Sequence, residues 1–314
     1  MNLTDTRQHN CNVLQAVYSL PGVDKIILTL VYALTGLIII VTNIMVIYGL
    51  VKTKQIKNRS NKLFIILSIS DIVIGCLTVP AQIAKLISLH CVLVPALQLF
   101  SMFPALFSYS LTVLIAIDRY ILVKHTSVYQ KYITKKKMNI VVLFIFLSNV
   151  AASVWYGFGV ELTPNVFLGD KTYILLCTYE VLTVILTSVL YIKLLFFVKK
   201  KAKTIEIARH PNSNKSKRSD SRATKTIAYI FISLICCYFT HAFALLYVIA
   251  NVDEHFNKIV LRNILAWSFL AVTSNSAINA VIFLIRNQKI KEHYEVIFRT
   301  VQSRRQIDVP EANV

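Results

Sequence analysis

The ten residues Ala116-Ile-Asp-Arg-Tyr-Ile-Leu-Val-Lys-His125 decide how this chain is read. They close a long, mostly apolar run and contain an acid and a base side by side. Lysines alone would suffice to end a hydrophobic helix at a water interface. The pair Asp118-Arg119, followed by Tyr120, raises the question of what surrounds it.

Of the 314 residues, 56% are hydrophobic and 16% charged, and the mean hydropathy is +0.61. Soluble domains are more charged and less apolar. The apolar residues fall into seven runs long enough to cross a bilayer, at 26–50, 63–87, 92–123, 138–160, 173–198, 226–250 and 259–285. Isolated polar residues inside several runs predict a bundle with an interior, an all-α membrane fold. The first 25 residues are polar without a signal-peptide pattern, so the first run is expected to act as its own insertion signal.

The net charge of +19 would by itself admit nucleic acid as a partner. Its distribution argues against that. Segments 51–62, 119–137, 199–225 and 286–314 hold 27 of the 34 Lys and Arg residues. The positive-inside rule makes these segments cytoplasmic, facing the anionic lipid of the inner leaflet. Six of the other seven lie at the opposite ends or in the opposite loops, and Lys193 sits low in the fifth run. Seven spans then put residues 1–25 outside the plasma membrane, where Asn2-Leu3-Thr4 is a glycosylation sequon. The expected division is an outer segment 1–25, a bundle 26–285, an amphipathic helix 286–301 and a tail 302–314.

Cys76, Cys236 and Cys237 lie within runs and read as small buried apolar residues. Cys11, Cys91 and Cys177 lie toward the oxidising outside, where one pair among them would bridge. No metal-ligand spacing of His and Cys, nucleophile–base pair or phosphate-binding glycine loop is present, so no catalytic residue is expected.

Asp71 lies in the middle of the second run, about three turns before Pro80. A carboxylate at that depth needs a partner, a proton or an ion. Asn43, Ser108, Asn275, Ser276 and Asn279 lie at comparable depth on the first, third and seventh runs. Asn275 and Asn279 share a helix face, with Ser276 beside them. Such oxygens suit a small hard cation such as sodium bound at Asp71; the alternative is a water-filled hydrogen-bond network. Glu180 and His241 sit in the outer halves of the fifth and sixth runs. They would form a charge-assisted pair if they face each other, although a buried His is more often satisfied by a backbone carbonyl.

At the cytoplasmic end of the third run, Asp118-Arg119-Tyr120 resembles the Asp-Arg-Tyr motif of class A, rhodopsin-like G-protein-coupled receptors. "GLIIIVTNIMVI" with Asn43 looks like that family's first helix, and "NKLFIILSISDIVIGCLTVP" with Asp71 looks like its second. "TSNSAINAVIFLIRNQKIKEHYEVIF" resembles its seventh helix running into an amphipathic eighth. Asn279 through Phe283 stand where the family has Asn-Pro-x-x-Tyr, Cys237 through Thr240 stand for Cys-Trp-x-Pro, and Tyr191 matches a tyrosine of helix five. The resemblance spans residues 26–300.

The departures are marked. Thr183, Thr240 and Ala280 replace the prolines of helices five, six and seven, and Phe283 lacks the hydroxyl that would join a water bridge to Tyr191. Trp155 lies nearer the outside than the tryptophan of helix four. Val94 stands where a cysteine is usual, which leaves Cys91–Cys177 as the implied disulfide and Cys11 as a competing partner.

The resemblance implies a heterotrimeric G protein at the cytoplasmic side and an extracellular ligand. Arg119 would pair at rest with Asp118 and with Asp220 at the foot of helix six, then extend beneath Tyr191 toward the G protein. The loop 199–225 is expected to prolong helices five and six and to lose order around 210–214. Ile290, Tyr294, Ile297 and Phe298 would form the apolar face of the eighth helix. Thr273 in place of the opsin lysine excludes retinal, and Ser101 in place of the monoamine receptors' aspartate disfavours a simple amine. The implied pocket is Gln98, Ser101, Met102, Ala105, Glu180, Tyr238, His241, Leu245 and Phe269, suited to a peptide, a lipid or a small molecule. A transporter using Asp71 is the alternative, but the paired repeats and broken helices of that class are absent.

Overall fold

A computed structural model of the chain describes residues 22–57, 59–87, 94–125, 129, 131–162, 171–208, 229, 232–247, 250 and 258–307. The expected sites Asn2, Cys11, Cys91 and Asp220 lie outside these residues, as do the side chains of Gln98 and Cys177 and the stretch 210–214.

Helix α1 is Gly22–Lys52. Helix α2 is one rod made of Arg59–Val73, a π turn at Ile74–Thr78 and Val79–Leu86. Then come α3 (Val94–Lys124), α4 (Lys135–Leu162), α5 (Lys171–Ala208), α6 (Ile232–Tyr247), α7 (Lys258–Arg286) and α8 (Gln288–Ile307). Among the described residues, six of these carry segments long and apolar enough to cross a membrane, and the described part of α6 is shorter and also apolar. The eighth helix continues to Ile307, six residues beyond the expected end at 301.

The helix faces are sorted for lipid. In α1 the buried residues Leu28, Tyr32, Gly36, Ile39, Asn43 and Val46 follow at spacings of four and three, and Gly49 and Leu50 continue the same stripe of a 3.6-residue helix. The other face exposes Leu30, Leu34, Leu37, Val41 and Ile44. Helix α4 is inverted relative to a soluble helix: it buries Asn149 and Ser153 and exposes Ile140, Phe144, Leu147 and Trp155. Backbone carbonyls and amides satisfied within each helix leave apolar side chains free to meet hydrocarbon. Cys237 is buried, but Cys76 and Cys236 are exposed on outer faces. Their expected burial is thereby corrected: a thiol is apolar enough to face lipid.

Helix α3 runs through the centre, packed against α2, α4 and α5. Its Pro104 has no N–H for the carbonyl of Phe100. That carbonyl instead accepts the Thr78 hydroxyl of α2 at 3.3 Å. Pro80 follows the π turn of α2, where the helical ladder is already interrupted. In α5 and α6 the residues replacing the expected prolines donate to carbonyls four back, Thr183 to Tyr179 and Thr240 to Cys236, each at 2.5 Å. Such back-bonding bends a helix mildly without removing a ladder bond.

Close approach of α1 and α2 depends on small residues. A Cβ on Gly75 would lie 2.7 Å from Ile40 and 3.1 Å from the Gly36 carbonyl, and one on Gly49 would lie 2.7 Å from Ile290 of α8. At the end of the bundle bearing Lys52, Arg119 and Arg286, here the basic end, Gln55 joins Thr53 at 2.8 Å and Asn287 at 3.2 Å. These bonds tie the turn after α1 to the α7–α8 junction. Tyr294 of α8 donates to the Met45 carbonyl at 2.7 Å, and Ile290 is fully buried, while Ile297 and Phe298 remain exposed. Gly75→Val is expected to force α1 and α2 apart and to cost about 1–3 kcal/mol, read as a lower unfolding midpoint of the purified protein in detergent.

Candidate functional site

Among the described residues, three polar clusters contain the expected site residues. The central one is built on Asp71, buried at 1% exposure on α2. Its Oδ1 accepts the hydroxyls of Ser108 from α3 at 2.6 Å and Ser276 from α7 at 2.8 Å. Asn43 of α1 donates to the Ile39 carbonyl at 2.9 Å and to the Ser276 carbonyl at 3.4 Å. Four helices therefore meet at the residues expected to meet there. Asn275 and Asn279 are buried on α7. Asp71 Oδ2, Asn275 Oδ1 and both amide atoms of Asn279 have no hydrogen-bond partner among the described residues. Buried polar atoms are rarely left so, and such oxygens match the donor set of a hard cation or of ordered water.

The second cluster lies at the basic end. Asp118 is buried, and its Oδ1 accepts the hydroxyl of Tyr129, from the segment after α3, at 2.7 Å. The Arg119 guanidinium lies 5.6 Å above the Phe64 ring of α2. Phe64 in turn packs on Phe283 of α7 with ring centroids 4.4 Å apart. Position 283, where a phenol was expected from the family, thus serves an aromatic contact. Tyr120 lies beside Lys124, which donates to its hydroxyl at 3.0 Å. Tyr191 of α5 is buried. Neither Tyr129 nor Phe64 was singled out from the sequence. An aromatic residue in an apolar run or a basic loop carries no mark of the charge it meets.

The third cluster is at the opposite end. Glu180 Oε2 of α5 lies 3.9 Å from His241 Nε2 of α6, so the two residues do face each other. The other ring nitrogen, Nδ1, bonds the Ser268 hydroxyl of α7 at 2.9 Å, so a side chain and not a backbone carbonyl satisfies it. His241 meets the edge of Phe269 at 5.8 Å, and Met102 of α3 packs on the apolar cluster that contains Phe269. Tyr238 packs on Tyr109 of α3 with ring centroids 4.2 Å apart and the rings tilted by 31°. Leu245, one turn beyond His241, is buried, and Ala105, one turn beyond Ser101, is partly buried. Ser101 is fully buried and accepts a hydrogen bond from Lys85 of α2 at 2.9 Å. Lys85 was absent from the sequence-derived pocket, because a lysine near the end of an apolar run reads as an interfacial anchor.

The apolar helices packed around the bonded Asp71 are consistent with a seven-transmembrane bundle. The family described as "7 transmembrane receptor (rhodopsin family)" matches residues 42–283. The chain belongs to that family. Among its relatives, adenosine receptor A3 of Canis lupus familiaris is 24% identical over 293 residues, covering 85% of this chain and 89% of the relative. Melatonin receptor type 1A-A of Danio rerio is 22% identical over 291 residues, covering 83% and 78%, and melatonin receptor type 1A of Gallus gallus is 24% identical over 305 residues, covering 87% and 78%.

Ser108→Ala or Ser276→Ala removes one of the two donors to Asp71. Each is expected to cost about 1–3 kcal/mol. Paired with Asp71→Asn, the losses should fall short of their sum, because the groups share one network. Thermal unfolding of the single and double variants checks this.

Proposed function

We propose that the chain is a ligand-activated receptor of the plasma membrane that promotes nucleotide exchange on a heterotrimeric G protein. Its amino terminus is extracellular and its basic end cytoplasmic. The observation that carries this reading is Arg119 at the basic end of α3, beside an acid held by Tyr129 and over an aromatic pair from α2 and α7. The aromatic contact of the guanidinium is weak: a cation over a ring contributes about 0.5–1 kcal/mol. That suits a switch, since a ligand can reverse an equilibrium only by its differential affinity for the two states. Movement of α7 would carry Phe283 off Phe64 and release the guanidinium. Arg119 could then extend beneath Tyr191 and support the C-terminal helix of the G protein. The remaining implied features, a Cys91–Cys177 bridge, a glycan at Asn2 and lipid contact by the exposed face of α8, belong to the same reading.

Asp71, Asn275 and Asn279 would hold an allosteric sodium ion, with Ser108 and Ser276 orienting the carboxylate. Bound there, the ion would supply the positive charge that lets the carboxylate stay ionised. The ligand is a peptide, a lipid or a small molecule; the relatives are named for adenosine and for melatonin and do not choose among these.

Guanine-nucleotide turnover in membranes expressing the chain, against a panel of G proteins, tests the proposal. Turnover should be lost in Arg119→Ala. It should rise by roughly two- to fivefold in Phe64→Ala, the equivalent of the lost cation–π contact. Uptake of an ion or solute without nucleotide turnover would overturn the reading in favour of transport. For the ion, sodium chloride should raise the unfolding midpoint above that in choline chloride at equal ionic strength, and Asp71→Asn should abolish the difference.

A further inference from the structure

We propose that the ligand of this receptor carries a protonated primary amine on an apolar body, and that Glu180 of α5 and His241 of α6 receive its N–H groups; this rests on the receptor reading above. Both residues lie toward the end of the bundle opposite the basic one, where an extracellular ligand would enter. Their side chains are 12% and 11% exposed.

The hydrogen bonds around His241 fix where its proton lies. The Ser268 hydroxyl has one hydrogen and donates it to the Leu265 carbonyl at 2.9 Å. At its 2.9 Å contact with His241 Nδ1, Ser268 can therefore only accept, so Nδ1 carries the proton. In the neutral ring Nε2 is then a bare acceptor. It faces Glu180 Oε2 at 3.9 Å. A second proton on Nε2 would not join the two, because that distance is too long for a hydrogen bond. Among the described residues no hydrogen bond reaches the Glu180 carboxylate. A carboxylate and a lone pair thus face each other with no donor between them, and a carboxylate removed from water is expensive without one.

The spacing indicates what kind of donor fits. A nitrogen about 2.9 Å from each acceptor sees the pair at an angle of roughly 85°, which two N–H bonds of one tetrahedral nitrogen can span. A tertiary amine has too few hydrogens for both acceptors and a quaternary one has none. The carboxylate favours a cation over a neutral donor, since charge-assisted bonds are the stronger. Ser101 leaves α3 without the aspartate of monoamine receptors, and Glu180 supplies a carboxylate from α5 instead. The body of the ligand meets apolar groups: Phe269 lies edge-on to His241 at 5.8 Å, and Leu245 follows one turn later on the same face of α6. A zinc ion suits the same two atoms but takes three or four protein ligands. Among the described residues no group of three His, Cys, Asp or Glu could hold one.

The test uses the full chain in phosphatidylcholine nanodiscs. The probes are hexylamine, phenethylamine and tryptamine, each set against the alcohol of the same skeleton and against its N,N,N-trimethylammonium analogue, which keeps the charge and loses every N–H. The readout is the concentration that half-saturates the shift in unfolding midpoint. At least one amine should bind about tenfold more tightly than both of its analogues. Glu180→Gln and Glu180→Leu should each erase that preference without weakening the alcohol, and His241→Phe should reduce it severalfold. Equal binding of every amine and its analogues would overturn the proposal, as would a preference that survives both Glu180 variants. Failure of both Glu180 variants to fold would make the residue structural and also defeat it. Stabilisation by zinc chloride with no preference for any amine would assign the pair to a metal instead. Nucleotide turnover by a G protein in the same discs separates the two readings: turnover without amine preference sinks this site alone, and amine preference without turnover sinks the receptor reading alone.

Discussion

Asp71 and the two serine hydroxyls it accepts are the contact on which the rest of the bundle depends. Lipid offers no hydrogen bonds, so a carboxylate in the middle of an apolar helix must find its donors on neighbouring helices. Ser108 and Ser276 supply them from α3 and α7, and Asn43 brings α1 to the same point through the Ser276 backbone. Apolar side chains alone would leave the helices free to slide, since hydrocarbon outside the bundle is as good a partner as hydrocarbon inside. The directional bonds set the register; the apolar clusters on either side fill space around it.

The same requirement governs the two ends. At the basic end, Asp118 accepts the hydroxyl of a tyrosine from outside the bundle, and Arg119 lies over an aromatic face. At the opposite end, Glu180, His241 and Lys85 are answered by one another or by serine hydroxyls. The bonds to Asp71 at the centre and to Asp118 at the basic end are alike short and buried, whereas the Glu180–His241 contact, at 3.9 Å, and the Arg119–Phe64 contact are looser. Pro104 lends α3 a free carbonyl that α2 occupies, whereas Thr183 and Thr240, which stand where the family has prolines, bond back to carbonyls of their own helices.

The helices and the central cluster were legible in the chain because the bilayer imposes simple rules. Length and hydropathy mark a span, arginines and lysines mark its inner end, and a lone carboxylate inside it marks a site. What escaped were residues whose chemistry is ordinary until a neighbour makes it otherwise. Phe64 reads as core, Tyr129 as loop, Ser268 as helix filler and Lys85 as an anchor. Cys76 and Cys236 erred in the other direction, because hydropathy does not distinguish a side chain facing lipid from one facing the bundle.

The sequence by itself determined how many apolar helices the chain forms, which of their ends are basic, and that Asp71, Arg119 and Asn279 lie at depths where they must have a use. These follow from composition along one dimension, which a membrane reads directly. Only the tertiary structure decided which groups answer one another: that Lys85 turns inward to Ser101, that Tyr129 donates to Asp118, and that Phe283 serves Phe64. Those pairings depend on the rotation and register of helices far apart in the chain, and periodicity within one helix carries no information about the face of another.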